Sequence, residues 1–458
     1  MKSKLQSKLL LVTLLAAAAS TISLSAAAAG RPELVKASLD AQRPYITGEL
    51  LIQFKAGTAA ADKAAALKPV GGNVLQSLVK GGRGQLDLDR VSFGGNVSIE
   101  TAMRLLQASP RVDFAEPNWV YQHDTVSNDP YYLDGSLYGM YGSSTSPSNI
   151  YGSGAGEAWA VEHICSNKMI VGVIDEGAMY THEDLKANFW TNPFDAVDGI
   201  DNDGNGYIDD VHGWDFDGND NSTFDGSGDD HGTHVSGTIA AVGGNGIGVA
   251  GVCWKAKIIS AKFLGARGGT TANAILAIDY LSDLKTRHAL KMPAINNSWG
   301  GGGFSQALKD AIDRSGVAEI LFIAAAGNDG VDDDVSPHYP SSYDSETIVS
   351  VASIDSSGAL SSFSNYGAVS VDIGAPGSSI VSTVPSKAIN PSKVKSAYAS
   401  YSGTSMATPH VTGAVVMLSS IKSGKTALQL KDLLISKGTP TASLDGKTSS
   451  GKRLNLGD

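Results

Sequence analysis

Apolar positions in the second half of the chain follow two rhythms that alternate along the sequence. Short runs that are apolar almost throughout predict buried strands at Met169–Ile174, Ile258–Phe263, Ala294–Asn297, Ile320–Ala325 and Ile348–Ala352. Apolar residues recurring every three or four positions predict helices at His234–Val242, Ala272–Arg287, Phe304–Ser315 and Pro409–Leu418. Strands joined through helices of this length form right-handed crossovers, so the pattern predicts an α/β fold with a parallel sheet.

The first part of the chain has a different texture. Residues 31–122 mix strand-like runs with helical spacing, which predicts a small α+β unit; the runs lie at 49–55, 59–67, 97–108 and 111–115. Residues 123–157 are rich in Gly, Ser, Pro and Tyr, which is typical of an exposed linker and a segment that follows the surface. Composition alone leaves the role of the small unit open.

The N-terminus predicts export from the cell. Lys2, Lys4 and Lys8 precede the apolar run Leu9–Leu15, and Ala26–Ala29 offers small-residue cleavage sites, as in a secretory signal peptide. An uncleaved anchor helix is the alternative, but polar residues interrupt the apolar run and the alanines suit a signal peptidase. No later stretch is long and apolar enough to span a bilayer. We therefore expect a secreted, periplasmic or cell-surface protein without a membrane segment after cleavage.

Charge and cysteine content restrict the partners and the chemistry. The 458 residues are 42% hydrophobic with a net charge of −11, so we expect a large core and no nucleic-acid binding. Much of the acid lies between Asp195 and Asp230, which favours cation binding. Cys165 and Cys253 are the only cysteines, and each precedes a predicted strand. A disulfide between them and two buried free thiols both remain open.

The stretch Tyr401–Val416, YSGTSMATPHVTGAVV, presents a candidate nucleophile. Pro409 is acceptable only in a helix's first turn, so Ser405 is predicted at or just before a helix N-terminus. The free N–H groups and the positive end of the dipole there favour developing negative charge. Alternatively, Ser405 is only an N-cap.

Two further stretches supply partners for a nucleophilic serine. Asp175 ends a buried strand, where a carboxylate is held rigidly enough to orient an imidazole, and His231 opens a small-residue helix. Asn328 follows a strand that breaks at Gly327, and its amide could donate to an oxyanion. Taken singly, Asp175 reads as a loop-starting residue and His231 as a structural histidine. A zinc site at His231 is disfavoured because the H-E-x-x-H spacing is lacking.

Five motifs in order, VGVIDEG, DDHGTHVSGTIA, NNSWGGG, AAAGN and YSGTSMATPHVTGA, resemble those of the subtilisin-like serine proteases. The resemblance runs from about Asp129 to the C-terminus. It implies a mostly parallel, doubly wound sheet preceded by a small ferredoxin-like α+β propeptide that inhibits the enzyme and assists its folding. The implied divisions are a signal peptide at 1–29, a propeptide at 30–122, a linker and mature N-terminal segment at 123–157, and a catalytic domain at 158–458.

The same resemblance implies a role for each catalytic candidate. Ser405 attacks the scissile carbonyl, and His231 takes its proton and later passes it to the leaving amine. Asp175 holds the correct tautomer of His231. Asn328 and the backbone N–H of Ser405 form the oxyanion hole.

Substrate-binding residues are implied in the same way. Two backbone segments line the first specificity pocket and pair with an extended peptide: Ser298, Trp299 and Gly300, and Ala325, Ala326 and Gly327. His338 lies at the pocket floor, where many relatives have a small residue, which disfavours large aromatic side chains. Glu176 and Asp229 border the second pocket and are expected to attract Lys or Arg there, unless one of them faces solvent or caps the His231 helix.

Calcium is the expected structural cofactor, and three groups of oxygen ligands are candidates for it. The first matches the family's tight site and comprises Asp129, Asp184, Val242, Asn245, Ile247 and Val249. The second lies in DNDGNGYIDD and comprises Asp201, Asp203, Asn205 and Asp209, unless that stretch is only a solvated acidic turn. The third resembles a thermitase-like calcium loop and comprises Asp215, Asp220 and Thr223.

We therefore expect a secreted, calcium-stabilised serine endopeptidase that removes its own propeptide and acts on polypeptides as a monomer. One alternative is a catalytically inactive binding protein with the same fold. Another is a lipase or esterase, which is disfavoured because its G-x-S-x-G elbow needs Gly where this chain has Ala407.

Overall fold

The computed structural model describes residues 30–40, 43–79, 87–94, 97–120, 126–388 and 393–457. The chain divides into two compact units, residues 1–122 and 123–458, which are described separately. The predicted signal peptide lies outside the described residues. Within the described residues, no helix combines the length and apolar character needed to cross a bilayer.

The first unit is a four-stranded antiparallel sheet with helices. Its elements are α1 (Pro32–Asp40), β1 (Tyr45–Phe54), α2 (Ala60–Leu67), a 3₁₀ turn (Lys68–Val70), β2 (Asn73–Val79), β3 (Asp87–Ser92), α3 (Ile99–Gln107) and β4 (Val112–Trp119). The sheet order is β2-β3-β1-β4. Leu50, Ile52 and Phe54 alternate inward from β1, and α3 packs its buried face in the same core cluster. The burial therefore follows a period of two in the strand and a helical period in α3.

The second unit begins with short helices and then alternates strands and helices. Its first half contains α4 (Pro130–Leu133), a 3₁₀ turn (Tyr138–Met140), α5 (Ala155–Ala160), β5 (Ile170–Asp175), β6 (Gly213–Asp215), α6 (Asp230–Ala240), β7 (Lys257–Lys262), α7 (Thr271–His288), β8 (Ala294–Asn297) and α8 (Gln306–Val317). Its second half contains β9 (Leu321–Ala325), β10 (Ile348–Ile354), β11 (Ile373–Pro376), β12 (Ile380–Pro385), β13 (Ser396–Tyr401), α9 (Thr404–Ile421), α10 (Ala427–Lys437), β14 (Thr439–Pro440), a 3₁₀ turn (Ala442–Leu444) and β15 (Lys452–Arg453).

The large sheet of this unit is mostly parallel, in the order β14-β15-β11-β10-β9-β8-β5-β7-β6. Strand β5 lies between β7 and β8 and pairs in parallel with both. Two core clusters fill the unit, one containing α6 and α9 residues and the other containing α7 and α8 residues. The predicted parallel α/β architecture is confirmed, because the five runs read as buried strands all belong to this sheet.

Helix α9 differs from the prediction at its start. It begins at Thr404, so Ser405 lies inside the first turn and Pro409 lies within the helix. Proline has no N–H to donate to the carbonyl four residues earlier, which here belongs to Ser405. The hydroxyl of Ser298 donates to that carbonyl oxygen instead, at 2.9 Å. A contact distant in sequence therefore makes an interior proline tolerable.

The open question about the cysteines is settled by their pairing. Cys165 and Cys253 form a disulfide, with their Cα atoms 5.3 Å apart. Cys165 precedes β5 and Cys253 precedes the neighbouring β7, so parallel pairing brings the two together. Cys253 is fully buried.

Candidate active site

The carboxyl end of β5 and the start of α6 bring Asp175 and His231 together. Asp175 is buried, and its Oδ1 lies 2.9 Å from Nδ1 of His231, whose side chain is 30% exposed. The backbone N–H of Glu176 also donates to that oxygen, at 2.8 Å. A Cβ on Gly232 would come within 2.1 Å of the Gly177 carbonyl oxygen, so only glycine allows this approach of helix to loop.

Ser405 and Asn328 meet at the start of α9. The Asn328 Oδ1 accepts bonds from the backbone N–H of Thr404, at 2.8 Å, and from its hydroxyl, at 3.0 Å. Because the Asn328 oxygen already accepts these two bonds, its amide N–H₂ is the group that can donate to a ligand. The hydroxyl of Ser405 donates to the carbonyl oxygen of Ser298 at 3.2 Å. Thr404, which the sequence analysis did not single out, thus fixes Asn328 beside the serine.

Three carboxylates surround His231. Burial disfavours the imidazolium, but Asp175, Glu176 and Asp230 outweigh it and raise the pKa of His231 to about 9. Burial, together with the charge of Asp175, raises the pKa of Glu176 to about 7. The Glu176 Oε1 accepts the backbone N–H of His231 at 2.5 Å, so this carboxylate holds the first turn of α6.

The prediction that Asp229 lines an open pocket is not supported by its surroundings. Its side chain is 6% exposed and lies 2.7 Å from the ammonium group of Lys262, which is 4% exposed. Lys262 also lies 3.3 Å from Asp225. A buried lysine therefore compensates the charge of Asp229, and Glu176 caps the His231 helix, which is the alternative that the sequence left open.

The predicted pocket segments lie beside Ser405, and His338 lies between them. The Ser298 hydroxyl bonds the Ser405 carbonyl, while Trp299 and Gly300 line a cavity of about 360 Å³ that continues along Gly301–Gly303. A Cβ on Gly300 would come within 2.2 Å of His338, and one on Gly327 within 3.0 Å of the same ring. The imidazole therefore fills space between the two segments. Ala325 and Ala326 are buried behind it.

The first calcium group converges around two fully buried carboxylates. Asp129 Oδ1 accepts the backbone N–H of Asn245 at 3.0 Å, and the Asn245 amide donates to Asp184 at 2.7 Å. Val249 donates its backbone N–H to the other Asp184 oxygen at 2.9 Å. Burial, with a contribution from Asp129, raises the pKa of Asp184 to about 7. Among the described ion pairs, none joins a lysine or arginine to either carboxylate.

Two more residues of that group share the loop. The backbone N–H of Val242 donates to the Asp184 carbonyl, and that of Ile247 donates to the Asn245 side-chain oxygen. Two buried carboxylates, an amide and nearby carbonyls are the oxygen donors that Ca²⁺ prefers. No group of three or more His, Cys, Asp or Glu in the described ranges is arranged to hold a metal. A ligand set with only two carboxylates is compatible with that finding.

The acidic loops of the other two calcium groups are satisfied largely by their own backbone. Asp201 accepts N–H bonds from residues 204–206, and Asp209 accepts them from residues 198 and 199. Asp203 bonds the His288 ring at 2.9 Å. Asn205 donates to the buried Asp210, which the sequence analysis did not single out.

In the third group, Asp215 accepts the N–H groups of residues 217 and 218, and Asp220 accepts that of residue 222. The buried hydroxyl of Thr223 has no hydrogen-bond partner among the described residues. Burial raises the pKa of Asp215, and the nearby ammonium of Lys262 acts in the opposite direction. A built-in cation is thus already present beside this loop.

A hydrogen-bonded Asp–His pair and a serine in the first turn of a helix, both on a parallel α/β sheet, are features of serine hydrolases. The chain belongs to the subtilase family, whose family model matches residues 166–452. Residues 32–118 match the fervidolysin N-terminal prodomain. The protein is therefore a subtilisin-like serine endopeptidase with an N-terminal prodomain.

Individual relatives agree with this assignment. The chain is 33% identical to the thermophilic serine proteinase of Bacillus sp. strain AK1, over 85% of this chain and 82% of that protein. It is 34% identical to an extracellular protease of Xanthomonas campestris, over 70% of this chain and 54% of that protein. The solved structure of a Pseudoalteromonas arctica protease matches with a TM-score of 0.55 and 28% identity, covering 72% of this chain and 96% of that one.

Replacing Glu176 by Gln removes a negative charge beside His231 but keeps an acceptor for its backbone N–H. Since that charge stabilises the imidazolium, its loss lowers the pKa of His231. His231 is the expected general base and would act in its neutral form, so we expect the acid limb of kcat/KM to move to lower pH, by about 0.5 to 1 unit. A pH profile on an uncharged peptide measures the shift, with the exposed Glu346→Gln as control. An acid limb that does not move would contradict the claim that the Glu176 charge stabilises the His231 imidazolium.

Proposed function

We propose that this subtilase is a secreted endopeptidase that hydrolyses peptide bonds through an acyl-enzyme on Ser405. The observation that carries the proposal is the 2.9 Å Asp175–His231 bond, with Asn328 held beside the serine by Thr404. His231 and Asp175 then serve as general base and orienting carboxylate. The alternative of an inactive binding protein would leave this complete arrangement without a use.

The proposed reaction has two halves. The Ser405 side chain rotates away from the Ser298 carbonyl, and its oxygen attacks the substrate carbonyl carbon as Nε2 of His231 takes the proton. The free Asn328 amide and the backbone N–H of Ser405, in the unsatisfied first turn of α9, stabilise the oxyanion. His231 then protonates the leaving amine. In the second half, water loses a proton to His231 and attacks the acyl-enzyme, which releases the acid and regenerates Ser405.

Substrate binding is proposed to use the two backbone segments flanking the serine. An extended peptide pairs its main chain with Ser298–Gly300 and with Ala325–Gly327, so affinity depends little on sequence. The side chain of the cleaved residue would then point toward His338. Because that ring lies between Gly300 and Gly327, the pocket favours small side chains over aromatic ones.

The prodomain is proposed to inhibit the enzyme and to be removed by it, after which the enzyme acts as a monomer. Ser127 and Asp129 are buried in the second unit, which makes the bonds beyond Ser127 poor cleavage sites. We therefore place the maturation cleavage between residues 121 and 127, partly outside the described residues. Secretion rests on the signal-like N-terminus and on an extracellular relative.

Calcium is proposed to bind at Asp129 and Asp184, with Asn245 and carbonyls of residues 242–249 as further ligands. Burying two carboxylates without a lysine or arginine beside them costs folding free energy unless a cation compensates their charge. A bound Ca²⁺ would supply that charge. The loops at 201–209 and 215–223 are proposed as weaker sites because their carboxylates already accept backbone N–H bonds.

Ser405→Ala tests the nucleophile and self-processing together. We expect an organophosphonate to label the parent enzyme at Ser405 and the variant not at all, because the alanine lacks the attacking oxygen. In a protease-free host the variant should accumulate with its prodomain attached, as measured by intact mass and N-terminal analysis. Absence of label in the mature parent would exclude the proposed mechanism, and normal maturation of the variant would exclude self-processing.

Chelation tests the calcium proposal. A thousandfold excess of Ca²⁺ over its Kd stabilises the folded state by about 4 kcal/mol, so excess EGTA should lower Tm and speed autolysis. Asp184→Ala should reproduce much of the loss and make Tm less sensitive to EGTA. The exposed Asp344→Asn serves as control. An unchanged Tm in EGTA would remove calcium from the proposal.

His338→Gly tests the first pocket. Removing the ring opens space between Gly300 and Gly327, so kcat/KM for a substrate with Phe at the cleaved position should rise about tenfold relative to one with Ala. Paired peptides that differ only at that position give the ratio. A ratio equal to that of the parent would show that His338 does not limit the pocket.

A further inference from the structure

The strand that leads into Ser405 also contacts the helix that carries His231. Strands β12 and β13 form an antiparallel hairpin, and β13 ends at Tyr401, four residues before Ser405. Helix α6 begins at Asp230, one residue before His231. The Tyr401 hydroxyl donates to Oδ2 of Asp230. This side-chain bond therefore joins the two segments close to both of the proposed catalytic residues.

The Tyr401 ring is held from its other side as well. It stacks on His234 with ring centroids 4.6 Å apart and planes 9° from parallel. His234 is fully buried, and burial lowers its pKa to about 3, so its ring is neutral at working pH. Its Nε2 lies 2.9 Å from the Ile380 carbonyl oxygen and 3.2 Å from that of Ala399. The imidazole thus binds both strands of the hairpin and supports the tyrosine.

The rest of α6 is fastened to the same hairpin. The hydroxyls of Ser382 and Thr383 donate to the carbonyls of His234 and Thr233, at 2.7 and 2.8 Å. A Cβ on Gly237 would come within 2.2 Å of the Thr383 hydroxyl, so helix and strand are in close contact there. Helix and hairpin therefore move together, and the Tyr401–Asp230 bond fixes the end nearest the reacting groups.

We propose that Tyr401 and Asp230 form a clamp that holds His231 in register with Ser405, and that both are positioning residues of the protease. This inference rests on the proposed catalytic roles of His231 and Ser405. Three further titratable groups face His231 or the clamp: Asp175 and Glu176 from the end of β5, and the neutral His234 from α6. The clamp residues take no part in bond making; they set the distance over which the proton travels.

Three substitutions separate the hydrogen bond from the charge. Tyr401→Phe removes the bond and keeps the carboxylate, Asp230→Asn keeps an acceptor and removes the charge, and Asp230→Ala removes both. We expect kcat to fall about tenfold in Tyr401→Phe and Asp230→Ala, with KM within about twofold, because misplaced catalytic groups slow chemistry rather than binding. Asp230→Asn should keep kcat within about threefold.

The pH profile gives the complementary pattern. The Asp230 carboxylate favours the imidazolium, so the acid limb of kcat/KM should move to lower pH in Asp230→Asn and Asp230→Ala. In Tyr401→Phe the charge remains, and the limb should not move to lower pH. The double variant Tyr401→Phe/Asp230→Ala should lose no more kcat than either single variant, since both remove the same contact.

A matched control is Tyr280→Phe, which removes a buried tyrosine–aspartate bond of 2.6 Å to Asp210 in the other core cluster. In excess Ca²⁺ it should lower Tm without lowering kcat. Organophosphonate labelling of the parent at Ser405 establishes the nucleophile independently. With that label present, a kcat within twofold of the parent in Tyr401→Phe, or an equal loss in Tyr280→Phe, overturns the clamp. If Tyr401→Phe does not fold, Asp230→Ala decides by the same criterion, because Asp230 is partly exposed.

Discussion

The hydrogen bond between Asp175 and His231 is the contact on which the proposed catalytic site depends, because it joins residues 56 positions apart in the chain. Asp175 is immobile because β5 is buried throughout and paired on both sides. His231 can reach it because Gly232 lets α6 approach the loop after β5. Helix α6 in turn lies against the hairpin that leads to Ser405. The sheet therefore sets the position of Asp175, and the hairpin sets the positions of His231 and Ser405.

Buried charge is the second constraint on this site. Lys262 compensates Asp229 within the protein, and Glu176 accepts a helix N–H, so the acids nearest the reacting groups have partners. Leaving such a charge without a partner costs several kcal/mol, which explains why Lys262 is buried beside the acidic segment. Asp129 and Asp184 accept hydrogen bonds only from uncharged donors among the described residues: N–H groups of the 244–249 loop and the hydroxyls of Ser127 and Tyr398. The loop at 215–223 thus has Lys262 beside it, whereas no described ion pair joins a lysine or arginine to Asp129 or Asp184.

The sequence predicted the parallel strands because a strand buried on both faces is apolar throughout. It proposed Asp175 and Asn328 because they follow buried strands, and His231 and Ser405 because they lie beside helices of small residues; the structure bonds Asp175 to His231 and Asn328 to Thr404. It failed where a distant contact decides the outcome. The start of α9 depends on Ser298, which replaces the donor that Pro409 lacks, and Asp229 depends on Lys262, 33 residues away. Tyr401 and Thr404 carry no local pattern that separates them from ordinary strand and cap residues.

The Cys165–Cys253 disulfide has a consequence for a protease whose own chain can be cut by a neighbouring copy. The bond joins cysteines 88 positions apart and closes a covalent ring, which contains Asp175, His231 and the acidic loops at 201–209 and 215–223. A single cut inside the ring opens it without detaching either piece, since each end remains tied through sulfur. A cut made by a neighbouring molecule thus leaves Asp175 and His231 in one covalently connected protein. The stretch between the two cysteines therefore tolerates a nick that would otherwise separate Asp175 from His231.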